Sequence, residues 1–300
     1  MIRSRPIKLF FFCFILFALF TAFSPAAAAL PEAEKSCLWE IKEGKHSVYL
    51  LGAIHLMKKD AYPLSTAIEK AYRDSEIIIF EADIDAMNDP AFQLKMMSFG
   101  MYQDGGTLNR NLPEKTYLLL KKKLAENGLS VTGFDLFKPW FCAMAISIAE
   151  LKKLGFDPAF GIDTYFFNKA KQDDKKRSFF ETREFQLNLF NTMEELNQTL
   201  FLEQTLKDIK VIETMFPEII KCWKNENSEE LGNIINRSFK DYPAVYERFI
   251  INRNNNWLPE IEDLIQQDKK VLIVVGVGHL VGEQGLIKML KNKGCKIKQH

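Results

Sequence analysis

Short apolar runs, rich in β-branched residues, alternate along the chain with longer segments whose apolar positions recur at helical spacing. Three runs bounded by glycine or polar residues have the length and composition of buried strands, at 48–51, 77–80 and 271–275. A fourth strand is predicted at 177–180, and 37–41 is predicted to pair with 47–51 as a hairpin. Strands separated by helices predict a parallel sheet core.

Helical spacing predicts helices at 64–74, 113–126, 140–154 and 242–263. Between residues 184 and 231 there is no glycine and a single proline, Pro217, which predicts a long helical segment. Its predicted core stripe comprises Leu187, Phe190, Leu196, Leu200 and Leu206. The predicted fold class is therefore α/β: a parallel-core sheet with flanking helices and a large helical insertion, about 184–265, between the two sheet halves.

Two matching Gly-x-x-His turns follow two of the predicted strands. The first runs from Gly52 to His55 and the second from Gly276 to His279, about 220 residues later. Each histidine is predicted at the carboxyl end of a strand, the edge of open α/β sheets at which ligands bind. A single histidine there is more often a hydrogen-bonded structural residue, but two of the chain's four histidines in this context favour a shared site.

Carboxylates follow two other predicted strands. Glu81 comes after 77–80, and a βαβ unit of this length implies parallel strands, which puts Glu81 on the same edge as His55. Glu181 follows 177–180 in the same way. Asp163 stands near the start of a predicted helix, and Arg253 lies in a late one. Each has a simpler alternative: a helix cap for Glu81 or Asp163, and a surface ion pair for Arg253.

The candidate residues suit hydrolytic chemistry. Two imidazoles and a carboxylate, from His55, His279 and Glu81, suit Mn, Fe, Co or Zn, and a bound metal acidifies water and polarises a carbonyl. Glu181 is a candidate general acid or base and Arg253 a candidate oxyanion stabiliser. A metal-free site with histidine as the base stays open. The chain contains neither H-E-x-x-H nor G-x-S-x-G.

Glycine stands at the first position of both turns. Gly52 and Gly276 let the backbone turn sharply or let a ligand approach it closely, so both are assigned to the surroundings of the site together with Asp163.

The N-terminus predicts export. Arg3, Arg5 and Lys8 precede a 15-residue apolar run and a cluster of alanines, which is the pattern of a cleavable signal peptide at residues 1–29. The run is shorter than the roughly 20 residues of a spanning helix. We expect residues 30–300 to form one domain, periplasmic or secreted, with no membrane association after cleavage; an uncleaved anchor is the alternative.

Charge and cysteine content limit the partners and the class of site. Removing the three cationic residues changes the formal charge from +1 to −2, which argues against nucleic acid as a partner. The four remaining cysteines, Cys37, Cys142, Cys222 and Cys295, are dispersed and exclude a zinc ribbon. A Cys37–Cys295 disulfide and four free thiols are both open, and oligomeric state is not predicted.

These residues, in this order, resemble the TraB/PrgY/GumN (TraB-like) family. The resemblance covers about residues 37–298. Its motifs are Leu38-Trp39, Tyr49-Leu50-Leu51-Gly52-x-Ile54-His55, the segment from Ser75 to Glu81, Lys138-Pro139-Trp140, Gly161-Ile162-Asp163, Glu181-Thr182 with Gln186, Arg253-Asn254, and Gly276-x-Gly278-His279-Leu280 with Gly282 and Gly285-Leu286.

The resemblance implies an activity. The family is related to Tiki-type metalloproteases, whose paired Gly-x-x-His motifs are needed for divalent-metal-dependent peptide cleavage, and more widely to erythromycin-esterase-like (EreA) and heme-binding ChaN-like proteins. It implies an EreA/ChaN-like fold, with His55 and His279 at the motif positions, Glu81 at the acidic position and Arg253 at the Arg-Asn position. Ala53 departs from the family's usual Thr, which removes a hydroxyl that could hold the histidine. A peptide or protein substrate is therefore expected; the alternative is a non-catalytic protein that sequesters a peptide or heme.

Overall fold

One six-stranded sheet organises the molecule. The structure is a computed structural model that describes residues 37–300 except 45, 226 and 241; the signal segment predicted at 1–29 lies outside them. The strands are β1 (Leu38–Glu43), β2 (His46–Ala53), β3 (Ile77–Phe80), β4 (Lys176–Phe179), β5 (Val271–Gly276) and β6 (Ile297–Gln299). Across the sheet their order is β4-β3-β5-β2-β1-β6.

The centre of the sheet is parallel, as predicted. Strand β5 pairs in parallel with β2 on one side and with β3 on the other, and β3 pairs in parallel with β4. The antiparallel strands β1 and β6 complete one side. All six residues of β5 are buried, which explains its unbroken run of apolar residues. The strands that precede His55 and Glu81 are thus parallel but not adjacent, because β5 lies between them.

Helices cover the sheet and form the insertion. The α-helices of the described part are α1 (Thr66–Asp74), α2 (Ile84–Met87), α3 (Pro90–Gly100), α4 (Leu108–Asn111), α5 (Glu114–Glu126), α6 (Pro139–Lys153), α7 (Ile162–Gln172), α8 (Arg183–Asn191), α9 (Glu195–Lys224), α10 (Ser228–Phe239), α11 (Pro243–Tyr246), α12 (Asn252–Gln266), α13 (Val277–Leu280) and α14 (Leu286–Asn292). Short 3-10 turns lie at Lys59–Ala61, Val131–Gly133 and Pro158–Phe160, and a π-helical turn at Glu247–Ile251 leads into α12.

The helical insertion runs from α8 to α12, between edge strand β4 and central strand β5. Its predicted core stripe is partly wrong. Leu187, Phe190 and Leu206 are buried, but Leu196 is 67% exposed and Leu200 is 36% exposed. The helix is interrupted between the end of α8 at Asn191 and the start of α9 at Glu195. The apolar face of α8 therefore does not continue in phase into α9. The buried face of α9 includes Phe201 and Leu202 together with the predicted Leu206.

Two further expectations concern the membrane and the cysteines. Among the residues that the structure describes, no helix is long and apolar enough to cross a membrane. Cys142 and Cys222 carry free thiols. A Cys37–Cys295 disulfide stays a prediction.

Candidate functional site

His55 lies two residues past the end of β2 and is held by the start of α7. Its Nδ1 is 2.9 Å from Oδ2 of Asp163. The two segments also meet through their backbones, since Ile162 N donates to the carbonyl of Ile54 at 3.0 Å. A Cβ on Gly161 would lie 2.4 Å from the carbonyl oxygen of His55, so only glycine permits this approach. Asp163 is therefore a partner of the histidine and not merely a helix cap.

Glu81, the first residue after β3, connects the other members of the site. Its Oε1 accepts a hydrogen bond of 2.6 Å from the backbone N–H of Gly276. Its Oε2 accepts one of 2.5 Å from Nη2 of Arg253. Nε2 of His55 lies 3.9 Å from Oε1. The side chain is only 8% exposed, so this carboxylate is a buried charge surrounded by cationic and N–H groups.

Arg253, in the first turn of α12, joins the two carboxylates to the second histidine. Its Nε and Nη2 donate to Oε1 and Oε2 of Glu181, each at 2.8 Å, in a bidentate pair. Its Nη1 is 2.9 Å from Nε2 of His279. The guanidinium also packs 4.8 Å above the ring of Trp257, whose Nε1 donates to Glu181 at 3.0 Å. The alternative of a surface ion pair does not hold, because Arg253 is 5% exposed at the centre of the site.

His279 lies in α13, directly after β5, and its tautomer follows from its neighbours. Nδ1 is 2.7 Å from Oδ1 of Asn254. The amide nitrogen of Asn254 donates to the carbonyls of His279 and Gln284, at 3.1 and 2.9 Å, so Oδ1 is its acceptor. The proton of a neutral His279 therefore resides on Nδ1, and Nε2 offers its lone pair to Arg253.

Both glycines that begin the motifs are required for close packing. A Cβ on Gly276 would lie 3.0 Å from Nε2 of His55 and 3.2 Å from Oε1 of Glu81. A Cβ on Gly52 would lie 2.7 Å from Cγ2 of Val277, at the start of the second turn. The carbonyl of Gly52 accepts a hydrogen bond of 2.6 Å from Nε1 of Trp223. Gly276 therefore lies at the centre of the polar site, whereas Gly52 joins the two turns.

The charges around the two histidines shift their pKa values in opposite directions. Burial alone would lower the pKa of His55, but the carboxylates of Asp163 and Glu81 raise it to about 9. Burial and the positive charge of Arg253 lower the pKa of His279 to about 3. Burial opposes ionisation of Glu81, yet Arg253 and the two histidines hold its pKa below the usual range. At neutral pH the site therefore contains one protonated and one neutral imidazole.

The residues fit a divalent cation by type and by charge. Both Nδ1 atoms are engaged, by Asp163 and Asn254, which leaves Nε2 of His55 facing Glu81 and Nε2 of His279 facing Arg253. As formal charges, Asp163, Glu81, Glu181 and Arg253 sum to −2. Within the described ranges, no three His, Cys, Asp or Glu groups are arranged to hold a metal ion. Arg253 contacts both Glu81 and His279. His279 would become a ligand only after Arg253 withdraws.

Three contributors were missed as functional residues. Trp257 lies four residues after Arg253 in the same helix, so helical spacing was the available signal. Asn254, the residue after Arg253, was named only in the Arg253-Asn254 motif of the resemblance. Gln186 donates from Nε2 to Glu181 at 3.0 Å and to Glu81 at 3.4 Å. Nothing in the sequence shows that α8 returns over the ends of two strands.

The comparison with known families matches nearly the whole described chain. The model of the TraB/PrgY/gumN family matches residues 37–299. The chain belongs to this family. The match contains both histidine turns, both carboxylates and Arg253, so every member of the site lies inside the family domain.

Relatives of this TraB/PrgY/gumN chain include uncharacterised and enzymatic proteins. Over 248 residues it is 24% identical to the "Uncharacterized protein YbaP" of Escherichia coli (strain K12), covering 83% of this chain and 89% of the relative. It is 24% identical to "Metalloprotease TIKI2" of Xenopus tropicalis, covering 89% of this chain and 61% of that protein. It is 22% identical to "Metalloprotease TIKI1" of Danio rerio, with coverages of 95% and 68%. No solved structure matches the chain.

Proposed function

We propose that the protein is an exported, metal-dependent hydrolase that cleaves peptide bonds at the His55–Glu81–His279 site. One observation carries the proposal: two imidazoles and a carboxylate, from the ends of three parallel strands, converge around Gly276. The similarity to two proteins named metalloproteases supports the reaction class.

The chain's own groups suit attack on an amide. Arg253 places a buried positive charge beside the site, and this charge would stabilise an oxyanion in a low-dielectric environment. Asp163 orients the ring of His55, whose side chain is 17% exposed and is therefore the accessible imidazole of the pair. Nε2 of His55 is the atom that would bind the cation, and it carries a proton at neutral pH until a cation replaces it.

His55, Glu81 and His279 are the residues that would hold the metal. A bound divalent cation acidifies water and polarises a carbonyl. The negative field of Asp163 and Glu81, which raises the pKa of His55, also favours a cation at its Nε2. Arg253 would release His279 and Glu81 when they bind the cation, and its bidentate pair with Glu181 would keep the guanidinium beside the site.

Calorimetric titration of Mn²⁺, Co²⁺ and Zn²⁺ into the chelator-treated protein tests the metal site. We expect one cation per chain and loss of binding in the His55→Gln/His279→Gln double variant. His46→Gln is the matched control, since His46 pairs with Asp268 away from the site. Cleavage of a peptide library, read by mass spectrometry, then tests the reaction. Unchanged turnover in the double variant, or no cleavage with any of the three metals, would overturn the proposal.

A second function is favoured by the position of Arg253. Its guanidinium already contacts two of the three proposed ligands, Glu81 and His279, as it would in a site that does not turn over. The protein would then be a non-catalytic binder of a peptide or heme. This alternative predicts tight binding that is insensitive to chelator, without cleavage. For heme, titration would produce a Soret band.

A further inference from the structure

A pocket lined by methionine opens beside the site. Three methionines, Met87 of α2, Met96 of α3 and Met144 of α6, line it together with the aromatic rings of Phe92, Trp140 and Phe190. The pocket is small: only about 30 Å³ of it is open to the centre of a water molecule, whereas small-molecule sites span roughly 300–1,000 Å³. This size suits one side chain better than a complete organic ligand.

The pocket shares a wall with the catalytic candidates. Gln186 lines the pocket, and its Nε2 is 3.0 Å from Oε2 of Glu181 and 3.4 Å from Oε2 of Glu81. Chain connectivity gives the same result. Helix α2 begins three residues after Glu81, and α8 begins two residues after Glu181. The two carboxylates at the sheet edge thus each lead directly into a wall of the pocket.

Gln186 also has unused hydrogen-bonding capacity. Its side chain is 2% exposed, and its Oε1 is a buried acceptor without a partner in the structure. Nε1 of Trp140, which lines the same pocket, is a buried donor without a partner. Buried polar atoms are rarely left unpaired in native proteins. Both atoms are buried behind the lining, so the surface that the pocket offers to an occupant is apolar.

The walls determine which side chain the pocket would accept. Trp140 and Phe190 stack with their ring centroids 5.3 Å apart and form a firm aromatic side. The methionines of the lining are unbranched and adapt to different shapes. The one cation of the lining, Arg183, is engaged by the carboxylates of Asp89 and Glu184. These three charges sum formally to −1, which disfavours an acidic side chain.

We infer that this pocket is the specificity subsite of the enzyme and accepts a large uncharged apolar side chain, of the leucine, methionine or phenylalanine class, next to the scissile bond. The inference rests on the proposed function. It assigns specificity-determining roles to Met87, Met96 and Met144, and it makes Gln186 the positioning residue between subsite and carboxylates.

The test fills the pocket by enlarging a lining residue that is partly exposed to solvent. Met96 lies on α3 and is partly exposed, so Met96→Trp places bulk in the pocket with little risk to folding. Met97→Trp is the matched control, because Met97 is the next residue of the same helix, is 44% exposed and does not line the pocket. The substrates are peptides that differ at a single position, with Ala, Leu, Met, Phe or Asp.

In wild type, kcat/KM should be about 10- to 100-fold higher for Leu, Met or Phe than for Ala, as expected for burying such a side chain. Met96→Trp should abolish this preference by lowering kcat/KM for the Leu, Met and Phe peptides, and Met97→Trp should preserve both the preference and the kcat/KM values. Cleavage with equal kcat/KM for all the peptides would overturn the subsite and leave the proposed hydrolase standing.

A second readout does not need turnover. Titration of methyl-¹³C-methionine protein with N-acetyl-leucinamide should shift the methyl signals of Met87, Met96 and Met144, and N-acetyl-alaninamide should not. In Met96→Trp the signals of Met87 and Met144 should stay in place. These shifts without cleavage of any peptide would support the apolar occupant and overturn the hydrolase. An absence of shifts in wild type would overturn the pocket's role.

Discussion

The two Gly-x-x-His turns leave neighbouring parallel strands whose ends are in register, with Ala53 paired to Gly276. Their histidines nevertheless occupy opposite electrostatic environments. His55 faces the carboxylates of Asp163 and Glu81, and its pKa rises to about 9. His279 faces Asn254 and the guanidinium of Arg253, and its pKa falls to about 3.

The difference teaches that a repeated local motif does not imply a repeated role. Each histidine receives its partner from a remote helix, α7 in one case and α12 in the other. A carboxylate partner stabilises the imidazolium, whereas an amide partner beside a guanidinium stabilises the neutral ring. His55 is therefore the half that holds a proton or a cation, and His279 is the half that supplies a lone pair.

The largest effect on stability is expected from removing the guanidinium of Arg253, which lies between Glu81 and His279. Arg253→Met leaves the carboxylates of Glu81 and Glu181 buried without their cation, at 8% and 5% exposure. The free energy of unfolding should fall by about 3–5 kcal/mol, as when one partner of a buried ion pair is deleted. Denaturant titration measures the loss.

Arg248→Met is the control for this substitution. Arg248 donates to the backbone carbonyls of Leu189 and Asn188 and does not touch the site. Its loss should cost only about 1 kcal/mol. Equal losses in the two variants would contradict a central electrostatic role for Arg253.

The two histidines should also produce opposite limbs in the pH dependence of stability, measured with chelator present. The pKa of His55 is higher in the folded state, so its contribution is complete below pH ~6.5 and is lost as pH rises through about 9. The loss is on the order of 3 kcal/mol. His279, whose folded pKa is depressed, destabilises the protein as pH falls from ~6.5 towards about 3, and Glu81 adds to this acid limb.

Denaturant titrations between pH 3 and pH 9.5 test this profile. In His55→Gln the alkaline limb should flatten while the acid limb persists. An alkaline limb of unchanged slope in this variant would show that His55 does not carry it.

Exchanging the side chains that contact Nδ1 of the two histidines, Asp163 and Asn254, should bring the pKa values of the two rings closer together. Asp163→Asn removes the anion that raises the pKa of His55, which should fall by about 2 units while His279 is little changed. Asn254→Asp should move the pKa of His279 upwards by about 1 unit. Titration of ¹⁵N-labelled histidine by NMR reads both rings in one experiment. A pKa of His55 that stays near 9 in Asp163→Asn would contradict the assignment of Asp163 as its partner.

Among the residues of the site, the smallest stability change is expected at Gly276, which lies next to His55 and Glu81. The methyl group of Gly276→Ala would lie 3.0 Å from Nε2 of His55 and 3.2 Å from Oε1 of Glu81. Unfolding should become easier by about 1–2 kcal/mol, but Mn²⁺ affinity should fall about 10-fold or more because the ligands are displaced. Gly52→Ala, which meets Val277 instead, should destabilise the fold with a smaller effect on Mn²⁺ affinity. Equal affinity losses would contradict the central position of Gly276.

Local pattern was sufficient for the strands and for the side of the sheet where the chemistry lies. Gly52 and Gly276 lie at the carboxyl ends of β2 and β5, and Glu81 and Glu181 follow β3 and β4. The parallel direction of these four strands brings their ends to one edge. Period and connectivity encode this directly. The core stripe of α9 was mispredicted at Leu196 and Leu200 because a short break resets helical phase.

The sequence by itself determined the α/β class, the two histidine turns and the set of residue types that meet there. Which residues of the site contact one another depends on the tertiary structure. Strand order inserts β5 between β2 and β3, and α12 places Arg253 between Glu81 and His279. Contacts between segments more than 100 residues apart depend on how helices pack across the sheet, which no local period encodes. The pKa values of the two histidines depend on those contacts, so identical motifs acquired different chemistry.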